Sequence, residues 1–105
     1  MLNKKLMKQE DFQAHVADAA KLMRVLANER RLEILCKLQD GEVSVGELQK
    51  QLSLSQSALS QHLALLRDEN IVTTRRAAQS VFYRITDPAA VKIISTLAEI
   101  FCPQI

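Results

Sequence analysis

The sequence predicts a mainly α-helical fold that carries one small β-hairpin. Along most of the 105 residues, apolar side chains recur at steps of three and four, which is typical of amphipathic helices. Two short runs, IVTTRR and SVFYRI, are instead rich in β-branched and aromatic residues, and the turn AAQ between them favours a hairpin. Hydrophobic residues make up 48% of the chain, which excludes a disordered protein, and the length favours a single domain over residues 1–105.

Cap residues divide the first half of the chain into three helices. The first helix extends over residues 11–26, where the apolar stripe is regular. Asn28 is a good N-cap for a second helix, NERRLEILCKL, whose buried side is expected to include Cys36 beside leucines. Ser44 opens a short third helix, with Glu47 three residues later as in a capping box.

The second half of the chain contains a fourth helix, the hairpin and a fifth helix. Ser55 caps the fourth helix after the break SLS, and Asn70 is able to end it in a left-handed conformation. Asp87 and Pro88 suit the cap and the first position of the fifth helix, which is expected to end near Cys102. The predicted order is therefore four helices, a two-stranded hairpin and a last helix.

The third and fourth helices form a pattern that is typical of DNA binding. A short helix, a tight break and a second helix with polar first turns make a helix-turn-helix, whose second helix enters the major groove. The polar side chains that could contact base edges there are Gln56, Ser57, Ser60, Gln61 and His62. In the hairpin, Arg75 and Arg76 would grip the DNA backbone or enter a minor groove, with Gln79 beside them at the turn. A polar helix start is ordinary by itself, but this ordered combination favours a winged helix-turn-helix.

The charge distribution fits a contact with double-stranded DNA. The net charge of the chain is only +2, but residues 48–86 carry five basic and two acidic side chains, which gives +3 there and −1 elsewhere. No acidic residue occurs over residues 71–86. A basic segment on a nearly neutral protein suits a polyanion, although charge alone would fit a solvated surface strip equally well.

Three segments of the chain resemble a known family. ANERRLEILCKL, LSLSQSALSQHLALLRDENIV and RRAAQSVFYRI look like the winged-helix repressors of the ArsR/SmtB family, over roughly residues 22–102. Within that family the chain is most similar to the BigR/HlyU-like branch, which carries a dithiol. The resemblance implies the element order given above, a homodimer that pairs the first and last helices, and a double-stranded operator with an inverted repeat. Asn70 is a departure, because members often have glycine there, but either residue can close the helix.

The two cysteines, Cys36 and Cys102, allow two interpretations. Buried cysteines commonly act as small apolar side chains, and the helix C-terminus near Cys102 disfavours a thiolate. The resemblance implies another role, because the similar dithiol regulators carry one cysteine in the second helix and one in the last. Carried over, Cys36 and Cys102 would sense reactive sulfur species or oxidants and control operator affinity. The alternative is a regulator without a sensor that competes with other DNA-bound proteins.

The last helix is apolar on two adjoining stripes, which is wider than one core needs. A partner subunit is therefore expected to bury the second stripe, and the family resemblance implies that the first helix takes part in the same contact. The side chains assigned to this dimer surface are Phe12, Val16, Ile94, Leu97 and Phe101.

Other functions are disfavoured by residues that the sequence lacks. The helix before the recognition helix, SVGELQKQL, has no cysteine pair, and no histidine follows His62. Zinc needs three or four convergent ligands, and His15 would join the two cysteines only by chance, so no metal site is predicted. The chain also lacks a glycine-rich phosphate loop, and we expect no cofactor and no enzymatic activity.

The cellular location is expected to be the cytoplasm. No apolar run reaches the roughly 18 residues that a membrane span requires, so no membrane partner is predicted. The lysines near the start are not followed by an apolar stretch, unlike those of a secretory signal. Two widely spaced thiols are also typical of a reducing compartment.

Overall fold

The computed structural model describes residues 8–102, which form five helices and a three-stranded antiparallel sheet. In chain order the elements are α1 (Gln9–Leu26), α2 (Glu29–Lys37), β1 (Val43–Ser44), α3 (Val45–Gln51), α4 (Gln56–Asp68), β2 (Val72–Ala77), β3 (Ser80–Ile85) and α5 (Pro88–Phe101). The predicted mainly α fold with a hairpin wing is confirmed. The addition is β1, which has only two residues and is therefore too short to show a strand pattern in sequence.

Side-chain caps start the four helices α2 to α5 at the predicted places. The Oδ1 atom of Asn28 accepts hydrogen bonds from the backbone N–H groups of Arg30 and Arg31, at 3.0 and 3.1 Å. Ser44 and Ser55 accept in the same way from the third residue after them, each at 3.1 Å. A cap of this kind stabilises its helix by about 1 kcal/mol, so the short α2 and α3 benefit most.

The largest side chains of the core come from four helices and are at most 2% exposed. They are Ile34, Leu35, Leu38, Leu48, Leu59, Leu63, Leu66 and Ile94. Cys36 does not belong to this core, so its predicted burial is wrong and its side chain is exposed. At 100° per residue, Ile34, Leu35 and Leu38 point to one side of α2, and Cys36 points to nearly the opposite side. α2 therefore presents its thiol to the surface rather than to the core.

The sheet has the strand order β1-β3-β2, with the hairpin strands β2 and β3 joined by a two-residue turn. Ala78 in that turn has a φ of 56°, and Asn70 after α4 has a φ of 60°, as predicted for the residue that ends that helix. Val72 and Tyr83 are buried on the face that packs against the helices, while the other face is open to solvent. Within residues 8–102, no helix is long and apolar enough to cross a bilayer.

Candidate nucleic-acid interface and thiol pair

α4 separates its apolar and polar side chains onto opposite faces. Leu59, Leu63 and Leu66 are buried in the core. The side chains predicted to face DNA are Gln56, Ser57, Ser60 and Gln61, which are all exposed, and His62, which is half-buried. The first turn of α4 contains no acidic residue, so nothing there opposes the positive end of the helix dipole. The exposed face can therefore meet the edges of bases and the phosphates beside them.

Gln49 of α3 fixes the turn that leads into α4. Its Nε2 donates a hydrogen bond to the carbonyl oxygen of Leu54, at 2.5 Å, just before the N-cap of α4. Its Oε1 is buried and has no hydrogen-bond partner among the described residues. Gln49 was not predicted from the sequence because its role depends on a contact across the turn, whereas the local pattern shows only a polar residue in a short helix.

The two arginines of β2 have different surroundings. Arg75 donates hydrogen bonds from Nε to both carboxylate oxygens of Glu42, at 3.1 and 3.2 Å, and its Cζ lies 4.7 Å from the ring centre of Phe82. These hydrogen bonds hold the pKa of the Glu42 carboxyl below its usual range. Arg76 is exposed and forms no ion pair with a described residue, and Gln79 is exposed in the turn. Glu42 was missed because it lies 33 positions before Arg75.

Cys36 and Cys102 line one groove between the end of α2 and the end of α5. The groove has a volume of about 600 Å³, and both thiols are free and exposed. Its other lining side chains include Lys37, Ser95 and Glu99. Partial burial raises the pKa of the Cys36 thiol, and negative charge at Cys102 raises it further. The structure therefore brings together two cysteines that are 66 positions apart in the chain.

The surfaces predicted to contact a second subunit are largely open. Val16 and Phe101 are 49% and 74% exposed, while Phe12 and Leu97 are half-buried. Ile94 requires a correction, because its side chain is fully buried in the core of the protomer and has no surface to offer a partner. The apolar area continues through other exposed side chains of α1 and α5, namely Met23, Val91 and Ile100.

The described residues do not bring metal ligands together. Over residues 8–102, no three side chains among histidine, cysteine, aspartate and glutamate are grouped so that they could hold an ion. His15 is exposed on α1 and His62 lies on α4, away from the groove that the two cysteines line.

A helix-turn-helix followed by a hairpin with exposed basic and polar side chains defines the winged helix-turn-helix class of DNA-binding proteins. Residues 28–74 match the family described as "Bacterial regulatory protein, arsR family". The chain is 48% identical to the transcriptional activator HlyU of Vibrio cholerae, over 89% of this chain and 86% of that protein. The chain belongs to the ArsR family, and it is a DNA-binding transcriptional regulator.

Two further comparisons agree with this assignment. The chain is 41% identical to the biofilm growth-associated repressor of Xylella fastidiosa, over 93% of this chain and 86% of that protein. The solved structure of reduced HlyU from Vibrio cholerae superimposes with a TM-score of 0.85 at 48% identity and covers 89% of this chain and 98% of that one. The similarity extends across α1 to α5 and is not confined to the helix-turn-helix.

Proposed function

We propose that this regulator binds an inverted-repeat operator in the cytoplasm as a homodimer, and that the Cys36/Cys102 pair controls its affinity for that operator. The observation that carries the proposal is the shared groove: two thiols from distant parts of the chain line one open hollow that joins α2 to α5. Both thiols are free and accessible, as a sensor of small reactive molecules requires.

DNA recognition is assigned to the exposed face of α4 and to the wing. Gln56 and Gln61 can form paired hydrogen bonds with adenine, and Ser57 and Ser60 can bond to several bases. The exposed Arg76 supplies a positive charge for phosphate. We assign the half-buried His62 to the edge of this surface and the exposed Gln79 of the wing turn to a further DNA contact.

A homodimer is supported by the open apolar surface of α1 and α5. Large apolar side chains that are more than half exposed, such as Phe101, are costly to leave in water, and an isologous contact would cover them on both subunits at once. The contact is assigned to Phe12, Val16, Leu97 and Phe101. Two subunits place two α4 helices on DNA, which matches a site made of two half-sites.

The thiols can respond by sulfur exchange. The Cys36 thiolate attacks the outer sulfur of a low-molecular-weight persulfide, R–S–SH, which forms a Cys36 persulfide and releases the thiol R–SH. The Cys102 thiolate then attacks the inner sulfur of that persulfide and expels hydrosulfide, which leaves a disulfide if the Cα atoms lie within roughly 7 Å. With a wider separation, Cys102 also takes up sulfur from a second R–S–SH, and the outer sulfur of the Cys36 persulfide attacks the inner sulfur of the Cys102 persulfide, which expels hydrosulfide and leaves a bridge of three sulfur atoms.

The bridge acts on DNA through the fold. It ties α2, whose Ile34 and Leu35 belong to the same hydrophobic core as residues of α4, to the end of α5, which is assigned to the dimer contact. A change in the angle between α2 and α5 alters the spacing of the two α4 helices in the dimer. The free energy that couples the bridge to DNA binding is expected to be about 1–3 kcal/mol. One solved relative is described as reduced HlyU from Vibrio cholerae, so the redox state was recorded for that protein, and we carry the question over to this chain.

The proposal is tested by titrating the DNA upstream of the regulator's own gene with reduced and persulfide-treated protein. We expect treatment to change the affinity of the unmodified protein about 5- to 150-fold. Cys36→Ser and Cys102→Ser proteins should bind as the reduced protein does and should not respond. A Cys102→Ser protein that still responds would rule out the dithiol switch, and an unmodified protein that does not respond would leave a regulator without a sensor. The direction of the transcriptional effect needs a reporter assay, because the relatives include an activator and a repressor.

A further inference from the structure

The guanidinium of Arg75 is already occupied within the protein. Its Nε contacts both carboxylate oxygens of Glu42, and its Nη2 donates to Oε1 of the same side chain. Its other side is covered by the ring of Phe82 at a distance that is typical of a cation–π interaction. Arg76, the next residue, has neither kind of contact among the described residues. Two adjacent arginines therefore differ in what they can offer DNA.

The ion pair spans the whole width of the sheet. Ser44 of β1 and Arg75 of β2 are both paired with Phe82 of the central strand β3, one from each side. Glu42 comes just before β1 and reaches across the outer face of β3 to Arg75. Because β1 leads directly into α3, the pair connects the wing to the helix-turn-helix.

Electrostatics disfavours the exchange of Glu42 for a DNA phosphate. If Arg75 moved to a phosphate, it would give up one anion for another and leave the Glu42 carboxylate unpaired near a polyanion. The pair carries no net charge, so it neutralises no phosphate and releases no counterion. Arg76 does carry a free charge, and a single phosphate contact contributes about 0.9 to the slope of log affinity against log salt.

We infer that Arg75 is a positioning residue of the DNA interface, held by Glu42 and Phe82 to fix the wing relative to α4, and that Arg76 makes the phosphate contact. This inference rests on the proposed DNA binding. It gives different roles to two adjacent arginines that the sequence alone does not distinguish. It also assigns Glu42, an acidic residue outside the basic segment, to the set of residues that position the wing for DNA binding.

The test is the salt dependence of binding to a short random duplex and to the DNA upstream of the gene, between roughly 50 and 200 mM salt. The double variant Glu42→Gln/Arg75→Gln removes the pair without changing the net charge. We expect its slope on random DNA to equal that of the unmodified protein, while its affinity for the upstream site falls. The matched single variant Arg76→Gln should lower the slope by about 0.9 on both DNAs.

A charge exchange distinguishes positioning from a general structural role. Glu42→Arg/Arg75→Glu allows the pair to re-form in the opposite sense, and we expect it to restore upstream-site affinity relative to the double glutamine variant. A slope that falls by about 0.9 in the double glutamine variant would show that Arg75 binds phosphate and would overturn the inference. If the unmodified protein shows no salt-dependent affinity for DNA, the proposed function fails first, which is a different outcome.

Discussion

α4 and α5 are amphipathic helices of similar length, 13 and 14 residues, yet they treat their apolar side chains differently. In α4, Leu59, Leu63 and Leu66 are at most 2% exposed, whereas in α5 Ile100 and Phe101 are 62% and 74% exposed. Burying one such side chain is worth about 1.5–3 kcal/mol, so α5 leaves unused stabilisation that a second subunit could supply. The region around α4 buries its apolar side chains within one chain, whereas the apolar surface of α1 and α5 would be buried only in the proposed dimer.

The largest effect, on the free energy of unfolding, is expected from a cavity in the core beside α4. Leu63→Ala removes a 2% exposed side chain from the core and should lower the free energy of unfolding by about 2–5 kcal/mol. Because Leu63 packs only within its own chain, the loss should be the same at every protein concentration. Urea denaturation at several concentrations measures this. A loss that shrinks as the protein is concentrated would show that α4 also depends on the partner.

A charge on the exposed apolar surface of α1 and α5 should prevent the proposed dimer from forming. Phe101→Asp puts an unpaired carboxylate into the proposed apolar contact, and we expect monomers and a loss of operator affinity on the order of a hundredfold. Light scattering and a DNA titration measure the two effects. Ala89→Asp, at the exposed opposite end of α5, is the matched control and should remain dimeric. A dimeric Phe101→Asp protein that binds normally would place the interface elsewhere.

The contrast between these two regions also separates what sequence could predict from what it could not. Asn28, Ser55 and Asp87 were identified as caps because each bonds within three residues of itself, and such signals are local. The hairpin was located from local signals as well, but the predicted three-residue turn AAQ is too long by one residue, because Ala77 pairs with Ser80 and leaves a two-residue turn. Apolar periodicity located the helices correctly, since it depends only on spacing along the chain.

Contacts between distant segments were not predictable in this way. In the run LEILCKL five of the seven positions are apolar and they surround the helix, so the face of α2 that points inward, and thus the exposure of Cys36, depends on how α2 packs on its neighbours. The same holds for Ile94, which α5 turns into its own core rather than toward a partner. The pairing of Glu42 with Arg75 requires the sheet register. The meeting of Cys36 and Cys102 was implied only by the family resemblance.

The recognition of DNA bases by α4 should depend on single side chains. Gln56→Ala removes a hydrogen-bonding group from the exposed start of α4, and we expect a loss of about 1–3 kcal/mol on the operator and a much smaller loss on random DNA. Competition titrations with both DNAs give the ratio. Stability should not change, because Gln56 is exposed. Equal losses on the two DNAs would mean that Gln56 does not read bases.

The smallest effect concerns Cys36, which lies in α2 and lines the groove beside the end of α5. Burial and the charge of Cys102 raise its pKa, so little thiolate is present at neutral pH, and alkylation requires the thiolate. Below that pKa, the alkylation rate of the folded protein should rise about tenfold for each pH unit. In urea the rate should level off near pH 8.5, the usual value for cysteine. In Cys102→Ser protein the folded profile should move to lower pH, since the second-largest of the causes that raise the pKa is gone, yet stay above the profile in urea because burial remains. Mass spectrometry of the alkylated Cys36 peptide measures all three. A folded profile that levels off at or below the pH found in urea would contradict the raised pKa and make Cys36 reactive at rest.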